Sequence, residues 1–462
     1  MGDSLLQFFT LVDNQGGVIV RGQATLSFTA YNVVPSAQQS RPSDLEPPKF
    51  DIDLYIQNYK GRTRFDRLLL IGRSSVPLCI DALKAAIAEA KRGKDVHRYK
   101  EAVDYLRVAA PSEAEATVDQ AWLKMQQSAN KVETNRLMAE LKGYRNNLIK
   151  ESIRMGHEDL GKHLEAIGDL NAAAEAFSKM RPDVSTTKQL IDVGKHLVRV
   201  SVQRREWGMV SAHLSKMLGV QHPEDDKATQ PYLKIANGIA LIGQEKAKEA
   251  ALSFLMADPS IPASTYNELT SQHDVAVYGG LLALASMDRA ELQTQVLDNS
   301  KFRTFLEQAP HIRRAVAQFV SGRYSACIEI LESYRADYLL DIYLQKHIPA
   351  IYTQIRGKCI VQYLIPFSCV SLDTMKKAFG RPEEPIEDEL ARMIQSGALQ
   401  ARIDTIDKMQ EAALKTAEDY EKQALDRLRR MGLAAAGLEL KGGGAMGGFP
   451  GRDDFLVEET LG

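Results

Sequence analysis

The chain has 462 residues, 44% hydrophobic and 26% charged, enough for two or three domains with a large buried core, and its 58 Lys and Arg nearly balance 60 Asp and Glu. That balance excludes a global field that would draw the chain to nucleic acid or to an anionic membrane. Four cysteines (Cys79, Cys327, Cys359, Cys369) with no CxxC and no recurring spacing argue against a disulfide framework or zinc ribbon and for reduced thiols in the cytosol or nucleus. No apolar run approaches the roughly 18 residues that span a bilayer, MGDSLL carries Leu6 where a myristoylation signal needs Ser or Thr, and no secretory signal is evident, so an intracellular soluble protein is expected.

Residues 1–49 differ from the rest: Val18–Val34 alternates weakly like a strand, and SAQQSRPSDLEPPK is a polar, Pro-rich linker. An extension without a fixed fold is expected there. From Phe50 the pattern turns helical, with Leu54, Tyr55, Tyr59, Phe65, Leu68, Leu69 and Ile71 at helical spacings and Gly61 and Gly72 as punctuation. A helix is expected over Pro77–Arg92, Pro77 suiting its first turn. In LGKHLEAIGDLNAAAEAFSKM, residues Gly161, Leu164, Gly168, Ala173 and Phe177 follow at steps of 3, 4, 5 and 4, the spacing of a tetratricopeptide-type hairpin. Gly322, Cys327 and Leu331 repeat the last two steps, and Gly238, Leu241, Ala250 and Phe254 give a weaker echo. Unequal intervals between these matches point to a degenerate helical solenoid, a fold that offers long surfaces to protein partners.

Cys359–Asp404 has a different pattern, that of a small winged helix closing the helical run. Phe367–Leu372 reads as a short strand, with Ser371 suited to cap a helix in which Leu372, Met375 and Phe379 share a face and Gly380 is the stop. Ile386, Leu390, Met393 and Ile394 form a second core-facing stripe ended by Gly397, and Leu399, Ala401 and Ile403 alternate with polar residues as a half-buried strand should. Ala412–Met431 then reads as a long helix with a narrow apolar side (Ala413, Ala417, Tyr420, Ala424, Leu428, Met431) that needs partner helices to be stable. The tail is Gly-rich, then acidic, and is expected to be disordered.

A helical-repeat region closed by such a module resembles the PCI-domain family, shared by the proteasome lid, the COP9 signalosome and translation initiation factor three. Tyr59–Gly72, Leu141–Arg181 and Ile386–Asp404 carry a likeness to its signalosome branch, extending over roughly Phe50–Met431. The related lid subunit lacks a clear counterpart of the first stretch. Residues 1–49 look unlike the family's core, and TIDKMQEAAL carries only Ile406 and Met409 where a second wing strand is usual.

The resemblance implies an all-α fold, a tetratricopeptide-like solenoid capped by a winged-helix PCI module and followed by a C-terminal bundle helix. Its divisions are an extension at 1–49, helical repeats at 50–229, a PCI domain at 230–405 with the winged helix at about 359–405, an assembly helix at 406–432 and a tail at 433–462. It implies a non-catalytic scaffold subunit with no cofactor, supporting removal of a ubiquitin-like modifier from cullins by a metalloprotease subunit of a different family. Its partners would be the other signalosome subunits and cullin-RING ligases, in cytoplasm and nucleus; a proteasome-lid subunit is the alternative. Ser368, Cys369, Val370, Ser371, Leu372, Leu399, Ala401 and Ile403 would shape the winged-helix edge, and Leu414, Tyr420, Leu428 and Met431 lie on the bundle helix.

Patterns that could carry chemistry fit poorly. Gly156–Lys162 matches GxxxxGK, but His163 stands where Ser or Thr is required and the segment lies within an expected helix. His157, Glu158 and His163 place the second histidine at i+6 and not i+4, on the far side of a helix from a shared ion. A DNA-reading winged helix needs cationic or amide side chains, whereas Glu383, Glu384, Glu387, Asp388 and Glu389 face Arg392 alone. The basic runs KRGKDVHRYK (Lys91–Lys100) and Arg427–Arg430 read as solvated faces, with docking to an acidic partner as the alternative, and Cys327, Cys359 and Cys369 read as core.

Overall fold

A computed structural model describes residues 48–49, 51–220, 229–367, 369–380, 385–403, 422, 424–429 and 431. The extension at 1–47, the acids Glu383 and Glu384, and the tail from 432 lie outside the described residues, as do Ser368, Leu414 and Tyr420. Every regular element among the described residues is helical. The described residues up to Ile386 form one compact unit and those from Glu387 a second.

In the first unit most helices pair with their neighbours as antiparallel hairpins, and the expected small-under-large step is what lets them approach. Gly161, in the Lys150–Ile167 helix, lies under Phe177 of the Leu170–Ser178 helix; a Cβ there would come within 2.5 Å of the ring. Gly238 and Phe254 repeat the seat, at 2.6 Å, between the Thr229–Gly243 and Ala247–Leu255 helices. Both phenylalanines are fully buried, worth about 2–3 kcal/mol each in apolar area removed from water. Gly194 under Met217 and Gly279 under Phe302 follow the same rule, although neither pair was evident from spacing.

The turns repeat as well. Gly168, Arg205, Glu245 and Gly322 each adopt a left-handed backbone (φ +94°, +60°, +63° and +77°). After each, the next N–H reaches back to a helical carbonyl five residues earlier: Asp169 to Leu164, Glu206 to Ser201, Lys246 to Leu241 and Arg323 to Gln318, at 2.9–3.0 Å. Glycine is the residue suited to this position, yet two of the four sites lack it. A left-handed conformation costs an L-residue about 1–2 kcal/mol, and glycine's extra freedom when unfolded returns about half of that. The exposed Glu245→Gly is therefore expected to stabilise the chain by about 0.5–1 kcal/mol in urea titration and Glu245→Val to destabilise it.

The N-terminal helices do not simply begin a linear stack. Gly61–Ser74, Cys79–Arg92 and Val96–Ala109 share one core, including Phe65, Leu68, Leu83, Ala86, Val103 and Leu106. The first of them also docks on residues far along the chain. Lys60 N–H donates to the Asn267 carbonyl (3.0 Å), and the Thr63 hydroxyl donates to that of Glu268. Arg67, with no exposed surface, places Nη2 2.8 Å from Asp274 and Nη1 2.9 Å from Asp341. Tyr59 donates to Asp274 (2.8 Å) and Tyr278 to Asp341 (2.6 Å), while the Tyr343 and Leu344 N–H groups complete the Asp341 shell. Around this knot, Arg62 pairs with Asp95 (2.8 Å), and Arg199 bridges Glu165 (2.6 Å) to Glu268 (2.7 Å). The bonds of Tyr59, Lys60, Thr63 and Arg67, and that of Arg199 to Glu268, cross the 229/230 division.

Several local expectations need correction. Pro77 precedes its helix, which starts at Cys79, and Leu54 is 67% exposed because the short Ile52–Gln57 helix buries Ile56 instead. Cys359 lies within the Ile348–Leu364 helix, and Leu372 opens one. Neither Phe367–Leu372 nor Leu399–Ile403 is a strand among the described residues. Their backbones turn to local partners: Phe367 N–H donates to Leu364, and Leu399 N–H to Met393, each closing off a preceding helix. Strands are stable only when paired, and the first donor of each segment is engaged in this local bond.

Candidate functional site

The region expected to join partners is built on the Ile348–Leu364 helix, which buries Ile351, Ile355, Cys359 and Ile360. Arg356 on this helix donates to the Phe379 carbonyl, and Ser325 Oγ donates to that of Ala378 (2.9 Å). Two bonds thus hold the C-terminus of the Leu372–Phe379 helix, whose N-terminus is capped as expected by Ser371 to the Thr374 N–H (3.2 Å). Met375 and Phe379 are buried, and the Tyr363 ring meets Phe379 edge-on at 5.3 Å. The link between the two helices is open to solvent. Ile365 is 68% and Phe367 51% exposed, and Cys369 is exposed as well, not a core residue. Sequence reading missed Ile365; its signal was an isoleucine beside Pro366, outside any helical stripe.

Of the expected edge residues, Val370 and Leu372 are half-buried and Ser371 is exposed. The Ile386–Gln395 helix presents the expected stripe, with Ile386 and Leu390 buried and Met393 and Ile394 half-buried. Glu387, Asp388 and Glu389 fill its first turn, where the helix dipole favours acids. Gly397 adopts φ +75° after it; Leu399 is then buried, Ala401 exposed and Ile403 half-buried. On the C-terminal helical residues, Leu425, Leu428 and Met431 are 59%, 64% and 68% exposed. Apolar side chains that face water this way suit burial by a partner.

The groups that resemble chemistry are occupied structurally. Gly156 packs on Tyr144 and Leu141, as Gly161 does on Phe177. His157 lies 3.0 Å from Arg145, Glu158 pairs with Arg154 and Lys162, and His163 lies 2.9 Å from Thr134, so the three point to different partners. The Cys327 thiol is pushed far up by its hydrogen bond with the free Cys359 thiol and by burial, the reverse of an activated nucleophile. Burial lowers Lys358 to about 8, but its ammonium donates to the Leu284 and Met287 carbonyls and so caps the Gln272–Ser286 helix. In the first basic run, Lys91 is exposed and pairs with Asp119, whereas Arg98 is largely buried against Asp66 and Asp95 and is not part of a solvated face; Arg427 and Arg429 are exposed.

A family profile described as 26S proteasome subunit RPN7 matches residues 119–295, and a PCI domain profile matches 331–411. The chain is 56% identical to the COP9 signalosome complex subunit 1 of Neurospora crassa, over 97% of this chain and 96% of that protein. It is 48% identical to the Emericella nidulans protein of that name (86% and 84%) and 37% identical to the Arabidopsis thaliana one (78% and 81%). With 97% of the chain inside the Neurospora match, most of residues 1–49 are shared with that relative and are not peculiar to this sequence.

Proposed function

The chain belongs to the COP9 signalosome subunit 1 family, and from that premise we propose that it is a non-catalytic scaffold of the signalosome, supporting deneddylation of cullins and so regulating cullin-RING ligases. The observation that carries the reading is 56% identity to a signalosome subunit along nearly the whole of both chains. On this reading the isopeptidase activity resides in another subunit, and the complex works in cytoplasm and nucleus. Neighbouring subunits engage Cys369–Leu372, the Leu399–Ile403 segment and the helix bearing Leu428 and Met431. The exposed Ile365, Phe367, Leu425, Leu428 and Met431 support this assignment.

Deleting Ala412–Met431 is expected to abolish co-purification of the other signalosome subunits while leaving the unfolding midpoint of the helical unit unchanged. Stoichiometric recovery of the full complex from the truncated chain would refute the assignment. The purified full chain alone is expected to cleave no neddylated cullin, and turnover by it would sink the scaffold reading. The proteasome-profile match at 119–295 favours the lid as the second reading. Co-purification with proteasomal ATPases in place of signalosome subunits would establish it.

A further inference from the structure

The longest helix, Gln120–Asn146, has 27 residues and buries only Leu123, Leu137 and Leu141. Its ends join two cores. Trp122 packs at 4.6 Å on Tyr99 beside the N-terminal helices, and Leu137 and Leu141 join the core around Phe177. Between them the inward face is polar: Asn130 Nδ2 donates to the Lys94 carbonyl (2.8 Å), and Thr134 lies 2.9 Å from His163. The outward face is unlike a solvated one. Met125 and Val132, one heptad apart, are 61% and 65% exposed, and the exposed Ala139 continues their line. Ser128 and Asn135, also exposed, fall at the intervening positions, giving alternating steps of three and four residues along one side. At 3.6 residues per turn, this line lies across the helix from Leu137 and Leu141.

The charges beside the line are unequal. Arg136, on one flank, is tied to Glu133 at 2.8 Å and to Glu140 within its own helix, a cluster that keeps one net negative charge. Lys124 and Lys131, on the other flank, are exposed and form no ion pair among the described residues. A heptad seam with uncompensated cations at its flanking positions has the design by which one helix selects another of opposite charge. From Met125 to Ala139 the seam runs about 20 Å, roughly four turns of a partner helix.

We propose that the outward face of the Gln120–Asn146 helix docks an acidic amphipathic helix of a second polypeptide. Val132 and Met125 take its apolar side chains, and Lys124 and Lys131 take its carboxylates. With Ser128, Asn135 and Ala139 in the seam the contact is shallow and partly polar, so binding is weak, reversible and strengthened at low salt.

The test uses the full chain and a fluorescein-labelled helix of about 21 residues with Leu at the seam positions and Glu at the flanks, where glutamate repulsion opposes self-association. A twin probe carries Lys in place of Glu. Anisotropy titration is expected to give micromolar binding of the Glu probe and none of the Lys probe. Val132→Asp and the pair Lys124→Glu/Lys131→Glu should each weaken the Glu probe about tenfold or more. The charge-reversed pair should in turn acquire affinity for the Lys probe, a gain that a misfolded variant would not show. No binding of the Glu probe, equal binding of both probes, or undiminished binding by both variants would overturn the proposal. So would a chain truncated after Met431 that binds at least tenfold more tightly than the full chain, which would assign the seam to the chain's own acidic segment around Asp453–Glu459.

Discussion

Arg67→Met is expected to cost about 3–5 kcal/mol, one of the two largest losses foreseen for this chain, read as a fall in the urea midpoint and in Tm. The cause is the two carboxylates left behind. Asp274 and Asp341 are buried, each within 3 Å of the guanidinium, so removing it strands two carboxylates in the interior. Burial alone would raise Asp274, but the charge of Arg67 outweighs it and holds the carboxyl down at about 2. Without Arg67, two like charges face each other in a low-dielectric pocket, with hydroxyls from Tyr59, Thr270 and Tyr278 and the His273 ring as the remaining side-chain support. Arg67→Lys should fall between, because one ammonium cannot fork to two carboxylates as Nη1 and Nη2 do. Combining Arg67→Met with Asp274→Asn and Asp341→Asn should recover more than half of the loss, since the neutral pocket has no unpaired charge. A single variant within 1 kcal/mol of wild type would show that the knot is not energetically coupled.

The same knot shows what sequence could and could not reveal. The step from Gly161 to Phe177 was legible because both sides of the hairpin lie within one short stretch and the turn forces them together. Arg67 was not, because its partners stand 207 and 274 residues away and nothing in RTRFDRLLLIG distinguishes a buried arginine from a solvated one. That stretch was singled out for its likeness to a family; the structure supplies the physical reason it matters, a clamp from the first helices onto the middle of the chain. Arg205 and Glu245 hid two further repeat turns, since the left-handed position usually announces itself by glycine. At the winged-helix end, alternation at Leu399, Ala401 and Ile403 imitates a strand, but a period of two predicts a face and supplies no hydrogen-bonding neighbour. The candidate surface was therefore legible as composition, in Leu428 and Met431, and less so as geometry, in Ile365 and Cys369.

Acidification should destabilise the chain well before its carboxylates titrate. His196 stacks on Phe177 at 4.7 Å, and His311 stacks on Tyr334 at 4.0 Å. Burial, helped by Arg199, lowers the first ring to about 4 despite Glu158 and Glu165 nearby; burial, helped by His273, Arg314 and Lys49, lowers the second to about 3. In the unfolded chain both rings titrate near 6.5. Stability is thus fully present above about pH 6.5 and falls as pH drops below it, because the unfolded state takes up protons that the folded state refuses. Each ring contributes about 1.4 kcal/mol per pH unit, or about 2 kcal/mol by pH 5 and about 4 for the pair. Asp274 adds to the loss from about pH 5 downward, as its unfolded carboxyl protonates, and overlaps the lower end of the histidine window, so the interval from pH 7 to pH 5 isolates the rings. Urea titrations at pH 7 and pH 5 should show the loss, and His196→Gln with His311→Phe should remove most of it. The burial-lowered His157, His163, His213 and His347 would leave a shallower slope. A wild-type midpoint unchanged between the two pH values, or a double variant that keeps the whole slope, would show that these rings protonate in place and that the stacks against Phe177 and Tyr334 tolerate charge.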